Sequence, residues 1–66
     1  MQIKVNGKTY NFDDNITLEK VINQLNISTN NIIAEVNGIV VSKEKFSNTV
    51  IENNAVIELV KFVGGG

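Results

Sequence analysis

Two Asn-Gly dipeptides, Asn6-Gly7 and Asn37-Gly38, constrain this chain more than any other feature. Asn-Gly is the pair most favoured in two-residue type I′ hairpin turns, because both central residues must take positive φ. Before the first, Met1, Ile3 and Val5 alternate with Gln2, Lys4 and Asn6, the period of a strand with one buried face. After it, Lys8 to Phe12 resumes a strand with Tyr10 and Phe12 on a shared face. The second dipeptide follows Ile32-Ile33-Ala34-Glu35-Val36 and precedes a short return strand, Ile39-Val40-Val41. Two β-hairpins are therefore predicted.

Between them, Asp13-Asp14-Asn15 reads as a loop, and Thr17 can cap a helix. Leu18, Val21, Ile22 and Leu25 follow at i, i+3, i+4 and i+7, the one-face spacing of an amphipathic helix. Glu19 sits in the first turn, where the macrodipole favours negative charge, and the helix should stop near Leu25-Asn26. Ser42 could cap a single helical turn through Phe46, and Asn53-Asn54 is another turn signal. Val56 to Val63 is the last strand, with Ile57 and Leu59 on one face and Val56, Val60 and Phe62 on the other. One helix across one mixed sheet of four to five strands makes two layers around one core. Pairing the first and last strands side by side, in parallel, with the helix packed over them gives an α+β architecture, the β-grasp or ubiquitin-like fold. The domain is drawn at residues 1–63, with 64–66 as a glycine tail. The frequent asparagines read as compositional drift on surface loops.

The size of the chain leaves little stability to spare. Sixty-six residues make one domain, and a domain of this length buries only ~60% of the surface its unfolded chain exposes. With no Cys and no His, neither a disulfide nor the usual zinc ligands are present, so the core must hold the fold alone. The missing Cys fits a reducing compartment, and the expected location is cytoplasmic. The N-terminal run reads as a strand, not a signal peptide, and no apolar run approaches membrane-spanning length.

Several functions are disfavoured by residue type. Six basic and seven acidic residues give a net charge of −1, which argues against a nucleic-acid binder. Lys43 and Lys45 straddle Glu44 and make a solvated face. Without a Cys nucleophile or a His base, Ser–His–Asp and Cys–His schemes are absent. Asp13 and Asp14 lack further oxygen ligands at the spacing of a calcium loop and read as a solvated turn. Gly7 and Gly38 are turn glycines, not a phosphate-cradling loop. A core this small should be filled with side chains and leave no substrate-sized cleft. The expectation is a non-enzyme that binds no metal or cofactor itself.

What remains is the ending, Val63-Gly64-Gly65-Gly66, directly after an apolar strand. A frayed end or a cloning scar would explain it without function. Against that, three glycines follow Phe62-Val63 with no polar linker between. They reach at most ~10 Å, and glycine's missing Cβ lets another backbone approach closely. Both properties suit insertion of a terminal carboxylate into a partner's narrow channel. Gly66 is thus the candidate reactive residue, and Gly65 and Gly64 give clearance. Val60, Phe62 and Val63 form a candidate docking surface beside the tail; for Phe62 the alternative is folding back onto the sheet edge.

Three stretches carry a family resemblance: the opening Met1-Gln2-Ile3-Lys4-Val5-Asn6-Gly7, Glu35-Val36-Asn37-Gly38 before a Val-rich return strand, and above all Val56-Ile57-Glu58-Leu59-Val60-Lys61-Phe62-Val63-Gly64-Gly65-Gly66. Together they resemble the bacterial sulfur-carrier proteins, the ThiS/MoaD family, and within it the ThiS type of thiamine biosynthesis. The resemblance covers the whole chain. A diglycine alone is a weak motif; at the C-terminus of a minimal β-grasp domain it is a strong one. The resemblance implies that an E1-like adenylyltransferase (ThiF-type) uses Mg-ATP to turn the Gly66 carboxylate into an acyl-adenylate. Sulfur from a cysteine desulfurase or other persulfide donor then displaces AMP and leaves a thiocarboxylate. A thiazole synthase (ThiG-type) takes that sulfur into the thiazole ring. The chain would be a co-substrate throughout. Rival readings are the molybdopterin-synthase small subunit, which tends to be longer and often has prolines before its Gly-Gly, and a ubiquitin-like protein modifier using the same adenylate chemistry. A binding module with an inert tail is a further alternative.

Overall fold

Both predicted hairpins are present. In a computed structural model describing residues 1–62, β1 (Gln2–Val5) pairs antiparallel with β2 (Lys8–Asn11), and β3 (Ile32–Val36) pairs antiparallel with β4 (Ile39–Val41). Asn6 and Gly7 have φ of 51° and 81°, and Asn37 and Gly38 have 51° and 83°, the signs a type I′ turn demands. A Cβ on either glycine would meet nothing within 4 Å, so glycine is needed there for its backbone conformation and not for space.

The final strand, β5 (Val56–Lys61), lies at the centre of a five-stranded sheet of order β2-β1-β5-β3-β4. It runs parallel to β1, with Val5 opposite Ile57, and antiparallel to β3 over five residue pairs from Ile32–Lys61 to Val36–Ile57. This is the β-grasp arrangement. The sequence reading runs this strand through Phe62 to Val63; the last described strand residue is Lys61. Phe62 lies beyond the last strand residue, although its N–H still donates to the Asn31 carbonyl at 2.9 Å. Val63 and the tail Gly64, Gly65 and Gly66 lie outside the described residues, as does the domain boundary drawn at Val63.

Helix α1 (Leu18–Gln24) covers one face of the sheet. Thr17 caps it, its Oγ1 accepting from the Lys20 N–H at 3.3 Å. Leu18, Val21 and Ile22 are completely buried and share one cluster with Ile3, Val5, Ala34, Ile57 and Leu59. Side chains of this size contribute roughly 1.5–3 kcal/mol each when fully buried. The helix ends in a Schellman motif. Ile27 N–H donates to the Ile22 carbonyl at 3.1 Å, and Asn26 N–H to that of Asn23 at 3.0 Å, with Asn26 itself left-handed at φ 59°.

The helical turn expected through Phe46 is a 3₁₀ helix spanning Lys43–Asn48. The Ser42 side chain does not cap it. Its backbone carbonyl does, accepting from the Lys45 N–H at 2.9 Å. The sequence carries no signal for the next contact. Thr17 and Val50 form an isolated antiparallel bridge, flanked by Leu18 N–H to Thr49 O and Ile51 N–H to Ile16 O, both 2.8 Å. This bridge ties the start of α1 to the segment after the 3₁₀ helix and buries Ile16 and Ile51.

The asparagine content is not drift. Asn6, Asn15, Asn26, Asn31, Asn37 and Asn54 all have positive φ, six of the eleven in the chain. Asparagine tolerates the left-handed region better than other non-glycine residues, because its short side chain bonds locally. Here it replaces glycine at turns and at the helix end, at a smaller entropic cost than glycine would carry.

Candidate functional site

Beta-strand β5 leads in sequence toward Gly66, and it is held from both sides as far as Leu59 and from the β3 side as far as Phe62. On the β3 side the last described bond is that from Phe62 N–H to Asn31 O. Asn31, at φ 59°, makes the bend that begins β3. On the other side β1 stops at Val5, beside Ile57. Asn6 continues the ladder with its own amide. Its backbone N–H donates to Ile57 O at 2.9 Å, its Oδ1 accepts from Leu59 N–H at 2.8 Å, and its Nδ2 donates to Leu59 O at 3.2 Å. The side chain thus stands in for one further strand residue. The turn that closes the first hairpin is also a brace on the strand that presents the tail.

The face of the sheet opposite α1 carries no covering element among the described residues. Along β5, Ile57 and Leu59 point into the core while Val56, Glu58 and Val60 point out, and Val60 is 54% exposed. Phe62 follows Val60 by two residues, the spacing of one strand face, and is 45% exposed. Ile33 of β3 lies directly opposite Val60 and is 42% exposed. Ile33, Val60 and Phe62 therefore form a contiguous apolar patch where β5 ends. Sequence reading missed Ile33 because Ile32-Ile33 looks like one apolar run. Strict alternation with the buried Ala34 would have put it outside.

Beside the patch, Glu35 and Glu58 sit directly opposite each other on the same face. Like charges in that position destabilise a sheet. Asp14, from the adjacent carboxylate pair, is 84% exposed and lies 3.8 Å from the Met1 amino group, as expected of a solvated turn. Among the described residues no three His, Cys, Asp or Glu side chains converge as a metal site would require, and no helix is long and apolar enough to cross a membrane. Hollows on the described surface lie away from this patch. One, of about 360 Å³, is lined by Gln2, Lys4, Thr9 and Asn54; another, of about 400 Å³, lies by Asp14, Val50 and Asn53. Both adjoin the beginning of β5, the far end from its exit.

Val60 and Phe62 are thus brought together with Ile33 at the exit of the central strand. Val63, Gly64, Gly65 and Gly66 continue from that exit in sequence and lie outside the described residues. The described part can position and brace a C-terminal segment and offer an apolar surface beside it.

A model of the ThiS family matches residues 3–66. The fold is similar to the crystal structure of the thiamine biosynthesis protein (ThiS) from Geobacter metallireducens, with a TM-score of 0.84 and 28% identity over the whole of both chains. In sequence, the chain is 33% identical over all 66 residues to a thiazole synthase of Magnetococcus marinus. It is 31% identical over 62 residues to the uncharacterized protein ycf40 of Trieres chinensis, spanning 94% of this chain and 85% of that protein. The chain spans only 20% of the length of the thiazole synthases it matches.

Proposed function

The chain belongs to the ThiS family, and from that premise we propose that it is a sulfur carrier of thiamine biosynthesis whose cargo rides on the carboxylate of Gly66. The observation that carries this reading is the family match, which runs to Gly66 itself. With no Cys to hold a persulfide and no His to act as a base, the chain has no other group suited to carrying sulfur.

A carboxylate is a poor electrophile, because its charge is delocalised and its oxygen leaves badly. An E1-like adenylyltransferase would join it to AMP from Mg-ATP and release pyrophosphate, making AMP the leaving group. The terminal sulfur of a persulfide, formed by a cysteine desulfurase or another donor, then attacks the carbonyl carbon and AMP departs. A second thiol cleaves the sulfur–sulfur bond and leaves the thiocarboxylate. A thiazole synthase takes up that sulfur. The thiazole synthases that carry a region resembling this whole chain support that last partner. Joining a carrier to the enzyme that consumes its cargo raises their effective concentration. In this cycle the chain is a carrier acted on by enzymes, and cytoplasmic placement fits the soluble partners it needs.

The test is intact mass after incubation with an adenylyltransferase of this type, Mg-ATP and a sulfur donor. One oxygen replaced by sulfur is the expected result. An unchanged mass, with the same enzyme active on another carrier, would sink the proposal.

The apolar patch supplies the docking surface in this reading. Phe62→Ala should weaken binding to the adenylyltransferase by at least about tenfold, the scale of a central aromatic anchor. Its N–H bond to Asn31 is a backbone bond and survives the substitution, so the melting temperature should hold. Calorimetric titration beside a thermal melt separates the two effects. A lowered melting temperature with unchanged affinity would show that Phe62 serves the sheet edge instead.

A further inference from the structure

The two hairpin turns form a matched pair. Both read Val-Asn-Gly, at Val5-Asn6-Gly7 and Val36-Asn37-Gly38. Both asparagines have φ of 51°, and their glycines differ by 2°. Each asparagine also donates its backbone N–H across to β5, Asn6 to Ile57 O at 2.9 Å and Asn37 to Val56 O at 2.8 Å. They differ in the side-chain amide. Asn6 is held at both ends, Oδ1 by Leu59 N–H and Nδ2 by Leu59 O. Asn37 is held only through Oδ1, which accepts from Val56 N–H at 2.9 Å; among the described residues its Nδ2 makes no hydrogen bond.

We propose that Asn37 is a site of spontaneous deamidation and that Asn6, in the same dipeptide and the same turn, is protected by its clamp on Leu59. The Gly38 backbone nitrogen attacks Cγ of Asn37, forming a nitrogen–carbon bond. The Cγ–Nδ2 bond breaks, and ammonia leaves with the proton that Gly38 gave up. Water then opens the five-membered succinimide at one carbonyl or the other, giving aspartate or isoaspartate. Glycine on the C-terminal side leaves the attacking nitrogen unhindered, whereas Asn15, Asn26 and Asn31 are each followed by a β-branched isoleucine. In both turns the backbone must leave its left-handed conformation for the nitrogen to reach Cγ. At Asn6 the side chain must also break two bonds, one of them made by the departing nitrogen. At Asn37 it must break one, and the departing nitrogen is untethered.

The products matter for the edge of the sheet. Either one takes the net charge from −1 to −2. Isoaspartate also adds a backbone atom inside a two-residue turn whose register sets Val36 opposite Ile39, so it loosens β4. The change occurs beside Val56, where β5 begins, and leaves the brace at Leu59 intact.

Peptide mapping by mass spectrometry, after incubation of the full chain at mildly alkaline pH, follows both sites at once. In the folded protein Asn37 should convert at least about fivefold faster than Asn6, the factor that one extra net hydrogen bond represents. In concentrated urea, where both tethers are gone, the two rates should converge. Equal rates in the folded protein would overturn the proposal. So would the same ratio persisting in urea, which would trace it to Lys8 and Ile39 in the flanking sequence. An Asn37 that stays intact while the urea-unfolded chain converts would overturn it too.

Discussion

Phe46→Ala should lower stability by ~3–5 kcal/mol and leave much of the protein unfolded at room temperature. Phe46 is among the largest fully buried side chains, 1% exposed, on a 3₁₀ helix that packs against both α1 and β3. A domain of this length holds only ~3–10 kcal/mol in total, and no disulfide supplements it. The cavity would open beneath a segment tied down on both sides. Thr49 Oγ1 donates to the Lys45 carbonyl at 2.7 Å, and Thr49 O and Ile51 N–H bond to the chain around the helix start. These bonds keep the segment from settling into the void, which puts the substitution toward the costly end of its range. Urea titration followed by circular dichroism measures the loss. A loss under about 1 kcal/mol would mean that the 3₁₀ segment collapses onto α1 in spite of them.

Phe46 also marks where sequence reading reaches its limit. Patterns with a period were legible: the alternation around each Asn-Gly, the i, i+3, i+4, i+7 stripe of α1, and the two faces of β5. Each repeats over several residues, and each is backed by turn or cap chemistry at its ends. The bridge between Thr17 and Val50 is a single residue pair 33 positions apart, with no repeat to betray it. It decides that Ile16 and Ile51 are core. Asn6 and Asn37 were legible from their Asn-Gly turns, but the left-handed conformations of Asn26 and Asn31 were invisible for a related reason. Composition shows that asparagine is frequent, but only backbone geometry shows that Asn26 closes a helix and Asn31 opens a strand. The brace of Asn6 on Leu59 spans 53 positions and needs the parallel pairing of β1 with β5 before it can exist. At the site, the outward faces of Val60 and Phe62 followed from alternation, while Ile33 joined them only once its register opposite Val60 was known.

The second large effect concerns function without stability. Gly65→Val should lower thiocarboxylate yield by about a hundredfold or more, a loss of the size that about an ångström of misplacement at a reacting centre produces. Gly65 is one bond from the residue whose carbonyl must meet ATP and then a persulfide. A valine there adds a branched Cβ and confines φ, so the terminal carbonyl is crowded as the adenylate forms. From Phe62, whose N–H donates to the Asn31 carbonyl, four residues reach at most about 14 Å. Whatever channel receives Gly66 must therefore close around Gly65 as well. The same substitution at Gly64, one residue nearer the sheet, should cost less. Neither should move the melting temperature, because among the described residues the buried cluster reaches no further than Leu59. Single-turnover assays read by intact mass separate adenylation from sulfur transfer. If Gly65→Val forms thiocarboxylate as fast as the parent chain, close approach at that residue is not required, and clearance cannot be why glycines precede Gly66.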